Sequence, residues 1–207
     1  MYIDPNLPPP KTFYGKCLRF VELRRVPITV VLITIVIGID VFRLQQPHFI
    51  LNLNDHATQL GLLLIASGLF LRNWAAGTLL KNDKLATSGP YALTRNPLYL
   101  GSFLMMFGFC TLIGDWDDFG IISLLIASLY IPAIRREQKR LLDIHQDAWL
   151  EYCNQTPMLL PRRLSISLEG WSTSKWRKNN EHRALWGTAV GLLAMAVWYE
   201  VVQRWGQ

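Results

Sequence analysis

Five apolar blocks alternate along the chain with stretches rich in charge and proline. They run from about Val26 to Phe42, Ala57 to Leu80, Pro97 to Ile113, Phe119 to Ile134 and Ala184 to Val202. Each is near the length at which an α-helix, rising ~1.5 Å per residue, crosses the ~30 Å hydrocarbon core of a bilayer. The first block is rich in Val, Ile and Thr, which would favour a strand in water. In lipid the backbone must satisfy itself, and helix results. The pattern therefore predicts an all-α integral membrane protein with about five transmembrane helices. From Arg135 to Tyr152 the pattern changes: Leu141, Leu142, Ala148, Trp149 and Tyr152 fall at helical spacing, with Arg135, Arg136, Lys139 and Arg140 elsewhere. This predicts an amphipathic helix on the membrane surface.

Punctuation residues place the joints. Gly89-Pro90 makes a turn. Asn96 is a good N-cap and Pro97 suits the first helical position, so a helix opens there with free N–H groups at its start. Gly114-Asp-Trp-Asp-Asp118 has room only for a hairpin between antiparallel helices, and Pro132 should kink or end the fourth span. Gly101 and Gly108 share one face and allow close approach of a helix or a ligand, and Gly187-x-x-x-Gly191 is a candidate packing face. Arg72 and Asn73 lie in the last third of the second span. They either reach back to the membrane boundary or face a polar cavity.

We expect a polar, proline-rich and basic N-terminal segment (1–25), a membrane core (26–163) and a basic linker with an additional C-terminal helix (164–207). The first apolar run is too long for a signal peptide and no small-residue cleavage site follows, so it reads as a retained anchor.

Charge then orients the helices. There are 21 Lys and Arg against 15 Asp and Glu, for a net charge of +6. Residues 1–25, the loop 81–97 and the segment 135–183 hold nearly all of the bases, while Arg43 and Arg204 stand on the other side. By the positive-inside rule the N-terminus, the Gly89–Gly101 stretch and the Glu137–Pro161 stretch all face the cytoplasm, in a bacterial inner membrane. The same rule accounts for the charge without nucleic acid. Cys17, Cys110 and Cys153 form no CxxC pair, and His48, His56, His145 and His182 lack ligand spacing, so no metal is expected. Neither GxGxxG nor a P-loop occurs.

Arg95, beside a helix N-terminus, is a receptor for a carboxylate or phosphate; it and Tyr99 equally suit a plain interfacial anchor. Glu137 is either a surface ion-pair partner of Arg136 or Arg140 or a hydrogen-bond acceptor for a ligand.

The stretch Gly89-Pro90-Tyr91-x-x-x-Arg95-Asn96-Pro97-x-Tyr99-x-Gly101 resembles the signature of the isoprenylcysteine carboxyl methyltransferase / phospholipid methyltransferase family of integral membrane proteins. A second block, Glu137-Gln138-x-x-Leu141 continuing to Trp149-x-x-Tyr152 and Leu160-Pro161, is similar to the family's second motif. The resemblance covers residues 57–163. It implies a membrane methyltransferase using S-adenosylmethionine, with Arg95 and Glu137 as catalytic residues. The implied cofactor contacts are Tyr91, Arg95, Asn96, Pro97, Tyr99, Leu100, Glu137, Tyr152, Leu160 and Pro161. The acceptor would be a small or lipid-like molecule presenting a carboxylate, thiol or amine, with the bilayer as partner. Three positions depart from the family: Asn96 replaces a His, Gln138 a second Glu, and His145-Gln146 a Phe-Gly pair. A nicotinamide-dependent membrane reductase on a related scaffold and a non-catalytic membrane scaffold are the alternatives.

Overall fold

The computed structural model describes residues 13–79, 85–162 and 170–205. The proline-rich start at Leu7–Pro10, Leu80 with the loop lysines Lys81 and Lys84, and the part of the basic linker at 163–169 lie outside the described residues. The elements are α1 (Phe13–Phe42), α2 (His56–Thr78), a 3-10 turn (Gly89–Ala92), α3 (Pro97–Ile113), α4 (Trp116–Gln155), α5 (Thr173–Lys178) and α6 (His182–Trp205). Among the described residues there is no strand, so the all-α expectation holds.

Three helices, α2, α4 and α6, are long and apolar enough to cross a membrane, and Pro27–Phe42 and Pro97–Ile113 are shorter apolar helices. Leu60, Leu63 and Phe70 of α2 and Val190, Leu193 and Val197 of α6 are exposed on the outside of the bundle, as lipid contact requires.

Helix α1 starts at Phe13, well before Val26, and carries on through Pro27. Residues 13–25 are rich in Leu, Lys, Arg and Glu, good helix formers that extend the apolar span without interruption. Asp55 caps α2 by accepting from Thr58 N (3.1 Å) and Thr58 Oγ1 (2.8 Å).

Helices α2 and α3 pack through small residues. A Cβ at Gly68 would lie 2.5 Å from the Gly101 carbonyl oxygen, and one at Gly108 would lie 2.8 Å from that of Gly61. Gly101 and Gly108 therefore serve helix contact. In the C-terminal helix only half of the glycine pair packs: a Cβ at Gly191 would meet Phe109 at 3.0 Å, while Gly187 faces open space. Gly114, at φ +81°, closes α3 in the left-handed conformation, and Asp115 caps α4 by accepting from Asp117 N (2.9 Å). The hairpin is as short as its sequence indicated.

The fourth span runs on through Pro132, where a kink or an end was expected, into the amphipathic helix, and the helical backbone continues as far as His145. A π turn over Ile126–Tyr130 precedes the proline. Pro132 has no N–H for the carbonyl four residues back and crowds it; the wider turn accommodates both effects. Past α4, residues 171–181 cross the end of α2. Ser172 N donates to Gly77 O (2.9 Å), Asn179 Nδ2 to Ala76 O (2.7 Å) and Trp176 Nε1 to Asn73 Oδ1 (2.6 Å). The first two satisfy carbonyls that a helix end leaves without partners, and the third engages the Asn73 side chain.

Candidate active site

The first block reaches the site through a tight turn. Gly89 sits at φ +60°, where an L side chain is strained, and a Cβ there would press on Thr78 at 3.3 Å. The 3-10 turn that follows buries Pro90 and Tyr91. Thr94, Arg95 and Asn96 are held by the irregular segment that leaves α4. Thr94 Oγ1 and Asn96 Nδ2 both donate to Met158 O (3.1 and 2.9 Å), and Arg95 N donates to Pro157 O (2.9 Å). Asn96 makes no side-chain cap on α3, because its amide is recruited by that returning segment. The start of the helix is also less open than expected: Tyr99 N and Leu100 N both donate to Asn96 O (3.1 and 3.0 Å), and Asn96 and Pro97 are buried.

The second block is delivered by α4. Its π turn places Tyr130 edge-on to Tyr99 and Phe103, with centroids 6.2 and 5.6 Å apart. Two turns on, Glu137 Oε2 accepts from Tyr99 Oη at 3.2 Å. At Gln146 the backbone leaves the helix (φ 43°, ψ −115°). That is the position where the resembling family carries glycine, and this conformation suits glycine far better than a side chain. Beyond the kink, Trp149 and Tyr152 turn inward and are buried. Tyr152 Oη donates to Tyr91 O (2.6 Å), Arg95 Nη1 donates to Cys153 Sγ (2.6 Å), and the Arg95 guanidinium lies 5.9 Å from the Trp149 ring centre.

The structure thus brings together Tyr91, Arg95, Asn96, Tyr99, Glu137 and Tyr152, with Pro97 buried beneath them. Leu100 is half-buried on α3. Leu160 is 76% exposed and takes no part in this cluster, while Pro161 is half-buried beside it. Several buried polar atoms in the region have no partner: Tyr91 Oη, Arg95 Nε and Gln138 Nε2. Burial, reinforced by the nearby Glu137 carboxylate, holds the Tyr91 phenol in its protonated form well above its usual range. A surface groove of about 850 Å³ opens next to the Tyr91–Tyr152 contact, lined by Leu85, Leu93, Tyr152, Pro157 and Arg162 among others. Of the expected site residues only Tyr152 lines it.

On α2, Arg72 is engaged in an ion pair with the segment that precedes α6. Its Nε and Nη2 donate to the two oxygens of Glu181 (2.6 and 3.1 Å) and its Nη1 to Ser102 Oγ (2.5 Å). Asn73 is taken by Trp176. Glu181, Cys153, Tyr130 and Thr94 all belong to this region and were not singled out from sequence. Only Glu181 had a signal: an acid in a basic linker matching a lone Arg in a span.

A family comparison falls on the same segment. Residues 56–148 match the model of the phospholipid methyltransferase family. That segment is similar to this family, which stands within the isoprenylcysteine/phospholipid methyltransferase group of membrane proteins. Among individual relatives, the chain is 33% identical over 105 residues to the cobalt-zinc-cadmium resistance protein CzcN of Cupriavidus metallidurans, covering 50% of this chain and 48% of that protein. It is 32% identical over 82 residues to the nickel-cobalt-cadmium resistance protein NccN of Alcaligenes xylosoxydans xylosoxydans, covering 40% of this chain and 38% of that one. The chain thus spans half or less of the length of these curated relatives. No solved structure matches it. The family and the three spanning-length helices make this an integral membrane protein, with methyl transfer as the activity class to which the family points.

Proposed function

We propose that the chain is a membrane-embedded methyltransferase that binds S-adenosylmethionine between its two blocks and methylates a small or lipid-like acceptor. The observation that carries this reading is the convergence of the blocks on buried, unpartnered polar atoms. Burying such a group without a partner costs about 1–3 kcal/mol, and a ligand rich in hydrogen-bonding groups removes that cost. The residues fit the cofactor: Arg95 Nε is a buried cationic donor without an acceptor, suited to a carboxylate, and Tyr91 Oη is a buried hydroxyl without a partner.

When bound, S-adenosylmethionine supplies a methyl group on a positively charged sulfur. Arg95, held by Cys153 and Trp149, would take the carboxylate. Glu137, oriented by the Tyr99 hydroxyl, would accept from ribose hydroxyls or the ammonium. Tyr152 fixes the turn that carries Tyr91. The close packing of Tyr99, Phe103, Tyr130 and Ile134 excludes water from this end of the bundle. A carboxylate or thiolate acceptor needs no base, and the protein has only to align it. An amine acceptor must be neutral, and Glu137 is the group placed to take its proton.

The relatives' names carry this reading towards a role in metal resistance, in which the methylated molecule would be a membrane component. The test is to incubate membranes containing the protein with methyl-labelled S-adenosylmethionine and follow the label. Label appearing in the lipid or small-molecule fraction, and lost in Arg95→Ala, supports the proposal. Equal labelling with and without the protein contradicts it.

A further inference from the structure

The family match stops at residue 148, yet the chain beyond it touches the helices that carry the site. Residues 171–181 lie across the end of α2, and their final residue, Glu181, is only 4% exposed. Its carboxylate grips Arg72 with both oxygens. The same guanidinium reaches across to α3, donating to Ser102 Oγ at 2.5 Å and Leu98 O at 3.4 Å, while Ser102 Oγ donates back to Leu98 O at 2.9 Å. Leu98 and Ser102 flank Tyr99, whose hydroxyl meets Glu137. Gly101 lies under the arginine stem: a Cβ there would sit 2.6 Å from Arg72 Cγ. No slack exists between these helices, so Arg72 cannot shift without moving the first turns of α3.

We propose that Glu181 is a positioning residue for the two-block site, acting through Arg72 to hold the first turns of α3, and with them Tyr99, against Glu137. A half-buried guanidinium that loses its carboxylate is left with a charge that neutral acceptors satisfy poorly. It then either seeks water or draws on other acids, and both movements disturb Leu98 and Ser102. Glu181, Arg72 and Glu137 also all act electrostatically on the buried Tyr91 phenol, so the C-terminal segment and the two blocks share one polar region. What the positioned site binds rests on the methyltransferase reading; the positioning itself does not.

Two readouts separate them. Amide hydrogen exchange is measured on the detergent-purified full chain, without any ligand, for the wild type, Glu181→Gln and the pair Arg72→Gln/Glu181→Gln. Binding of S-adenosylhomocysteine is measured on the same samples. Glu181→Gln is expected to speed exchange at residues 98–102 about tenfold or more, with the opposite, N-terminal part of α2 at 58–65 unchanged, and to weaken binding by a similar factor. The doubly neutral pair is expected to recover much of both, which general damage to the fold would not allow. Unchanged exchange at 98–102 in Glu181→Gln overturns the positioning. Faster exchange with unchanged affinity equally overturns its link to the site. If the wild type binds no S-adenosylhomocysteine, the methyltransferase reading falls and exchange alone decides the positioning claim. Should Glu181→Gln not fold, Trp176→Phe, which removes the bond to Asn73, carries the test: a smaller rise at 98–102 is expected, and none overturns the proposal.

Discussion

Helix α3 meets its two neighbours in different ways. Towards α2 it presents Gly101 and Gly108 to Gly68 and Gly61, and the backbones come as close as their atoms allow. Towards α4 it presents Tyr99 and Phe103 to Tyr130, Ile134 and Glu137. The glycine seam gains its cohesion from dispersion contacts that need no water and no partner molecule. The aromatic seam borders Tyr91 Oη and Arg95 Nε, buried without partners. The difference teaches that one face is built for rigidity and that the other carries polar groups a ligand can use. A site needs such a pairing, because groups held within fractions of an ångström require a support that does not yield.

Substitutions on the two faces should therefore have opposite signatures. The largest effect is expected from Gly68→Leu, which drives a side chain into the Gly101 carbonyl and costs about 3 kcal/mol or more; thermal unfolding in detergent measures it. On the other face, Tyr99→Phe is expected to change stability by no more than about 1 kcal/mol while weakening S-adenosylhomocysteine binding about tenfold, read by calorimetry. If Tyr99→Phe instead unfolds the protein while affinity holds, the division of labour is wrong.

A smaller change with the opposite sign is expected at the α4 kink. Gln146→Gly relieves a left-handed backbone that a side chain resists and should stabilise the protein by about 1 kcal/mol, seen as a raised melting temperature. The smallest effect concerns the far end of the bundle. The Thr58 hydroxyl, with backbone N–H groups of Thr58 and Ala57, holds the Asp55 carboxyl below its usual value of 3.8. A depressed carboxyl contributes stability that is fully present above its unfolded value and is lost as pH falls through its folded one. The melting-temperature gap between wild type and Asp55→Asn should thus close as the pH falls below about pH 4. Cofactor binding at pH 7 should be the same in both.

Where the chain announces its structure, it does so through residues with one backbone use. Pro97 and Gly114 bound α3 at both ends, and the Gly114–Asp118 hairpin has no room for anything else. Gly101 and Gly108 mark the α2 contact by their shared face. The continuity of α4 through Pro132 was not legible, because the π turn that admits it has no residue signature of its own. Nor was the role of Asn96, whose amide serves a carbonyl sixty-two residues away instead of the helix it precedes. Two groups of the proposed site, Arg95 and Glu137, stand out because charges between apolar spans are conspicuous. Cys153 and Tyr130 do not, since either is an ordinary apolar-face residue until a kink or a π turn aims it. The extra C-terminal helix looks appended in sequence, yet Met195, Trp198 and Val202 pack into one core cluster with Ile65, Leu112 and Ile113, and the Arg72–Glu181 pair ties its start to α2.

The central claim is that the two blocks form one cofactor site. Calorimetry with S-adenosylmethionine on detergent-purified wild type, Arg95→Ala and Glu137→Ala tests it most directly. The account predicts saturable micromolar binding by the wild type and clear weakening in both variants, with melting temperatures little changed. Absence of binding by well-folded wild-type protein, with or without added lipid, would contradict it.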